Sequence, residues 1–152
     1  LEYSLMILKY IEDNGQIGPI SARQVCDHLR LPFDPVAKVM QLLKNHEILS
    51  ADKGSKGGYT LSSNLTNISY FELIKIIENI GEQDFCDSKQ CTLKANCNIV
   101  SPIRDLQVMT NDFFKKININ ELLNNIDYLK KVLDIGKEKD SVDKEKLIKS
   151  LY

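Results

Sequence analysis

Along most of the chain apolar residues recur every three or four positions, a spacing that predicts a largely helical protein. Leu5, Leu8 and Ile11 predict a first amphipathic helix over residues 3–11, ended by Asn14-Gly15 and Gly18-Pro19. Ser21 then reads as an N-cap, and Gln24 three residues on completes a capping-box pattern. Val25, Leu29 and Leu31 supply the apolar side of that second helix, and its turn runs through Arg30-Leu31-Pro32-Phe33. Asp34 is expected to cap a third helix with Pro35 at its first position, where a missing N–H costs nothing. Val36, Val39, Met40 and Leu43 form its apolar stripe, while Lys38, Gln41 and Lys44 lie opposite. A helix, a tight turn and a second helix with a polar outer face make a DNA-reading helix–turn–helix.

The period then changes. Ile48-Leu49-Ser50-Ala51 and Tyr59-Thr60-Leu61 are strand-like pieces around Lys53-Gly54-Ser55-Lys56-Gly57-Gly58, and together they predict a hairpin. Taken alone, such a Gly/Lys turn is most simply a surface turn. Directly after a helix–turn–helix it reads as a wing, with glycines and lysines suited to a phosphate backbone. Helical spacing returns over Ser69 to Ile80, with Ser69 as cap and Glu72 three residues later. Pro102 is expected to start a longer helix in which Ile103, Leu106, Met109 or Thr110, and Phe113 recur. That stripe fits an intramolecular core and a dimer element equally well. Residues 121–135 predict one more helix (Leu122, Leu123, Ile126, Leu129, Leu133). The charged stretch Gly136 to Lys146 reads as a solvated linker before a weak terminal helix.

The expected fold is therefore mainly α (α+β): a winged helix–turn–helix with a small β-hairpin wing and a long dimerisation helix. The expected organisation is a DNA-binding domain over 1–80, a cysteine loop over 81–100, the dimerisation helix over 101–117 and a C-terminal helical extension over 118–152.

Composition adds limits. The 152 residues are 43 % hydrophobic and 27 % charged, values of a globular rather than a disordered chain. The longest apolar runs, such as Ile48-Leu49, are far too short to span a membrane, and no basic-then-apolar leader opens the chain. A cytoplasmic location is expected. A net charge of −1 argues against a generic polyanion binder. Residues 21–60 hold six Lys/Arg against four acids, so DNA affinity would come from a shaped surface, in two copies. The candidate DNA contacts are Ser21, Arg23, Asp34, Lys38, Gln41, Lys44, Lys53, Ser55 and Lys56. No Ser/His/Asp set or carboxylate pair stands out, which argues against an enzyme.

Three of the four cysteines fall within residues 86–97, with four residues between Cys86 and Cys91 and five between Cys91 and Cys97. Clustered thiols of this kind read first as a metal site. Zinc prefers CxxC-type pairs, so it fits less well. Three thiolates on a loop bracketed by Gly81 and Pro102 suit an iron–sulfur cluster, with Lys89 and Lys94 to offset its charge. A thiol redox switch stays open, as does an iron–sulfur scaffold or electron carrier that never touches DNA. Cys26 lies on the apolar side of its helix and reads as a small buried hydrophobe.

Taken together these parts resemble the bacterial winged-helix regulators that include the iron–sulfur assembly regulator IscR, the nitric-oxide-sensing repressor NsrR and the cysteine-metabolism repressor CymR. The resemblance covers about residues 2–123. It is carried by Glu2-Tyr3-Ser4-Leu5, Ile20-Ser21-Ala22, the wing from Lys53 to Leu61, Ile68 to Glu78, the three cysteines, and Ile117 to Leu122. It implies a homodimer on a palindromic operator, with an iron–sulfur cluster on Cys86, Cys91 and Cys97. The four-then-five spacing is closer to the nitric-oxide-sensing members than to the assembly regulator. The latter's histidine ligand, three residues past the last cysteine, is replaced here by Val100. In nitric-oxide-sensing members an acidic residue at the start of the first helix is the fourth ligand, and Glu2 stands there. Three thiolates and a weaker oxygen donor favour a [4Fe-4S] cubane over a [2Fe-2S] cluster, with nitric oxide as a candidate effector. The chain departs from the family at Lys53 (usually arginine), Lys56 (often glycine) and Arg30 (usually glycine), and its tail is longer.

Overall fold

In a computed structural model the chain is described over residues 1–54, 57–79, 92 and 96–132. The main elements follow in the order α1 (Glu2–Asn14), α2 (Ala22–Leu29), α3 (Phe33–Asn45), β1 (Leu49–Asp52), β2 (Gly58–Leu61), α4 (Tyr70–Glu78), α5 (Val100–Lys116) and α6 (Ile119–Asn124), and residues 128–132 are again helical. The fold is the expected one, mainly helical with a small antiparallel hairpin paired from Leu49↔Leu61 to Asp52↔Gly58. Both capping boxes form. Ser21 N–H donates to Gln24 Oε1 at 2.8 Å and Ser21 Oγ accepts from Gln24 N–H at 3.3 Å. Ser69 and Glu72 repeat the exchange at 2.8 and 3.2 Å.

The core is built from one face of each helix of the head. Ile7, Leu8 and Ile11 of α1, Val25 of α2, and Val36, Met40 and Leu43 of α3 are buried together with Ile48, Leu49, Leu65, Ile68 and Leu73. The chain comes back to this core after α5. Ile119 is fully buried in it, Tyr70 N–H donates to the Ile117 carbonyl at 2.8 Å, and Ile119 N–H donates to the Ile68 carbonyl at 3.0 Å. The Asn118 side-chain amide donates to the Thr66 carbonyl, and its Oδ1 caps α6 by accepting from Glu121 N–H at 3.1 Å.

Three helix boundaries differ from expectation. α3 starts at Phe33 behind Pro32, so Asp34 lies inside its first turn and caps nothing. Pro35 is tolerated there because the first N–H groups of a helix have no internal acceptor. For the same reason Pro102 is the third residue of α5, which starts at Val100. The helix expected over 121–135 is broken. Asn125 is extended, its Oδ1 accepts from Asp127 N–H at 3.2 Å, and Ile126 is 96 % exposed rather than part of a stripe. Beyond the break Tyr128 ties back to the end of α5, its hydroxyl donating to the Lys116 carbonyl at 3.0 Å and accepting from Asn118 N–H at 2.9 Å. Leu133, the charged stretch 136–146 and the terminal helix lie outside the described residues.

Candidate nucleic-acid interface and cysteine segment

The geometry of the head begins at the turn between α2 and α3. Arg30 closes α2 in the left-handed conformation (φ 55°), and Leu31 N–H donates to the Cys26 carbonyl at 3.1 Å. A glycine would adopt this conformation freely, whereas an L side chain pays about 1–2 kcal/mol. Arg30 thus takes, at that cost, the conformation that a glycine at this turn would adopt freely. It presents α3 with Lys38, Gln41 and Lys44 exposed opposite the buried stripe, as the periodicity predicts. Asp34 is exposed in the first turn, and Arg23 is exposed in the first turn of α2, next to the half-buried cap Ser21. One neighbour was not foreseen. Phe33, the first residue of α3, is 51 % exposed, and the Arg23 guanidinium sits 5.8 Å from its ring centroid. Reading Phe33 as part of the turn hid it, and the only signal was its place beside the helix start.

The wing root is fastened to the head of α2. Ile20 N–H donates to the Tyr59 carbonyl at 2.9 Å and Tyr59 N–H returns the bond at 2.8 Å. A Cβ on Gly58 would lie 2.7 Å from the Ile20 carbonyl carbon, and one on Gly57 would lie 2.3 Å from the Asp52 carbonyl oxygen. These two glycines therefore answer to backbone packing inside the protein. Gly54, at φ 120°, turns the chain just after the exposed Lys53. Ser55 and Lys56 lie outside the described residues.

Of the expected cluster ligands, Cys86 and Cys91 lie outside the described residues. Cys97 is half-buried with a free thiol, three residues before α5. Glu2 opens α1 with a carboxylate that is 90 % exposed. The Leu1 nitrogen lies 3.7 Å from the carboxylate of Glu78, so the start of α1 adjoins the end of α4, from which the cysteine segment departs. The Glu2 carboxylate lies 3.7 Å from the Leu1 nitrogen; a free thiol and a solvent-exposed carboxylate fit the soft and hard donors that an iron–sulfur cluster with one labile iron requires. Among the described residues no three His, Cys, Asp or Glu converge on a common point. His28 and His46 are exposed, and His28 stacks on Tyr10 at 4.7 Å. Cys26 is buried in the core, and burial, followed by the carboxylate of Asp27, pushes its thiol up.

α5 contrasts with the helices of the head: none of its residues is buried, and Ile103, Leu106 and Met109 are exposed. No described helix is long and apolar enough to cross a membrane.

Comparison with known proteins fits this arrangement. The profile of the Rrf2 family, described as iron-dependent transcriptional regulators, matches residues 1–125. IscR of Pectobacterium carotovorum is 21 % identical over 140 residues, covering 91 % of this chain and 83 % of its own. NsrR of Streptomyces coelicolor is 28 % identical over 105 residues, covering 68 % of this chain and 70 % of its own. Among solved structures, T. potens IscR superposes with a TM-score of 0.61 at 14 % identity, covering 82 % of each chain. Staphylococcus aureus CymR does so at 0.62 and 17 % identity, over 83 % of this chain and 96 % of that one. The protein therefore belongs to the Rrf2 family and is a transcriptional regulator, not an enzyme.

Proposed function

We propose that this regulator binds a palindromic operator as a homodimer, as a repressor whose affinity is set by an iron–sulfur cluster on Cys86, Cys91, Cys97 and Glu2. The observation that carries the reading is the exposed face of α3, where Lys38, Gln41 and Lys44 stand clear of the core beside a wing bearing Lys53. Arg23 and Ser21 at the head of α2, with Lys53, Ser55 and Lys56 in the wing, grip phosphates; Asp34, Lys38, Gln41 and Lys44 face base edges. Two copies meet along α5, which covers Ile103, Leu106 and Met109 and matches the two-fold symmetry of the operator.

When bound, the cluster supplies iron that reacts with nitric oxide or oxidants. The chain's own part is to connect that site to the reading head. Glu2 is the first residue of α1, and Ile7, Leu8 and Ile11 of the same helix pack in one core with Val36 and Met40 of α3. Holding or freeing the Glu2 carboxylate therefore acts on the helix that backs the reading helix.

Anaerobic reconstitution with iron and sulfide tests the ligand set. Cys→Ser at position 86, 91 or 97 should abolish the brown chromophore, while Glu2→Ala should keep colour and lose its coupling to DNA affinity. A colourless parent, or a full cluster without Cys91, would replace this reading with a thiol switch. Operator binding by Lys53→Ala with Lys56→Ala tests the wing: each lost phosphate contact should lower the salt slope by about 1.

A further inference from the structure

We infer that Phe33 reads the 5-methyl group of a thymine in the major groove, with Arg23 holding the ring in place and reaching the adjacent phosphate. The inference rests on the DNA-binding reading above and names the base that the reading helix selects. A lone exposed phenylalanine is ordinary protein surface, so its exposure alone decides nothing. Its position does more. Phe33 is the first residue of α3, the end of a reading helix that comes nearest the base edges. Ala37, Gln41 and Lys44 follow it four, eight and eleven residues on, so the ring stands in line with exposed polar side chains on one flank of the helix. Phe33 stands three, seven and ten residues before Val36, Met40 and Leu43, at the N-terminal edge of the buried stripe, yet it stays 51 % exposed while those three are fully buried.

The chemistry then narrows the ligand. Every major-groove base edge offers hydrogen-bond donors or acceptors, which a phenyl ring cannot use, except for the thymine methyl. Apolar contact with that methyl is what an exposed aromatic side chain on this face can provide. The Arg23 guanidinium, 5.8 Å from the ring centroid, stacks as a cation–π partner and restricts the ring before DNA arrives. Its remaining N–H groups are free to donate to a phosphate, since the head of α2 is where a helix–turn–helix meets the backbone.

The test selects duplexes in vitro with the full chain, cluster-reconstituted and cluster-free, and replaces each thymine of the selected site in turn by uracil, which removes only the methyl. One thymine in each half-site should lose roughly fourfold in affinity, the worth of one buried methyl. Phe33→Ala should bind the thymine and uracil duplexes equally, and Phe33→Leu should keep part of the discrimination. Arg23→Ala should weaken binding to every duplex, lower the salt slope by about 1 and cost the thymine duplex more than the uracil duplex, so that the methyl preference narrows. An unchanged thermal midpoint in Phe33→Ala guards against a folding artefact. A scan in which no uracil matters, or in which Phe33→Ala keeps the same loss, overturns the inference and leaves DNA binding standing. Failure of the parent to select any duplex overturns both.

Discussion

α3 and α5 carry the same kind of apolar stripe and use it in opposite ways. In α3, Val36, Met40 and Leu43 close against α1 and the strand segment after it, and all three are fully buried. α5 meets the head near its C-terminal end, where Phe114 lies edge-to-face on Tyr70 at 5.2 Å, while Leu106 and Met109 stay 59 % and 71 % exposed. Helical periodicity says that a stripe must be covered. It does not say by what, and only the tertiary structure separates a stripe covered within the chain from one left exposed.

The sharpest way to break that contrast is to make one change in both helices. Met40→Ala should cost about 2–5 kcal/mol in urea unfolding at any protein concentration, the usual loss for a truncated core methionine. Met109→Ala should cost under ~0.5 kcal/mol in dilute protein and more as concentration rises, because mass action ties an interface to stability. Equal costs at high dilution would mean that α5 is covered within its own chain. Next in size, Leu106→Asp with Met109→Asp should sediment as a monomer and lose at least about tenfold in operator affinity, or ~1.4 kcal/mol. A dimer surviving this pair would move the interface elsewhere. Ser69→Ala removes the cap of the helix on which α5 rests, and it should lower stability by about 1 kcal/mol. The smallest effect is chemical. With its thiol pushed up by burial, Cys26 should alkylate far more slowly at neutral pH than Cys97, since the thiolate is the nucleophile. Equal rates would show that the head opens.

Local signals were read from the sequence residue by residue, whereas long-range ones were not. Ser21 with Gln24 and Ser69 with Glu72 were legible because a capping box is complete within four residues. The start of α3 was misjudged because Asp34-Pro35 makes a good helix opening wherever it stands within the first turn. The break at Asn125 was missed because Leu122, Ile126 and Leu129 keep helical spacing across it, while the decisive bond is an Asn side chain accepting from the backbone two residues later. Ile119 in the core of the head could not be foreseen, since its partners lie more than forty residues earlier. The interior role of Gly57 and Gly58 was hidden behind their plausible use against phosphate. Of the site, the exposed face of α3 was visible and Phe33 was not, because a single apolar residue has no period.

The late arrival of Ile119 also has a consequence in time. About forty residues separate the end of α4 from this side chain, roughly 2–8 s of synthesis at ordinary elongation rates of 5–20 residues per second. Through that interval α1 to α4 can gather, yet the patch that Ile119 fills, together with the free backbone groups of Ile68 and Tyr70, stays open on the nascent chain. The head of this regulator is thus completed by a residue encoded after α5. Chains released before that codon should be cleared by proteases rather than persist as truncated DNA binders, so that premature termination yields no competitor for the operator.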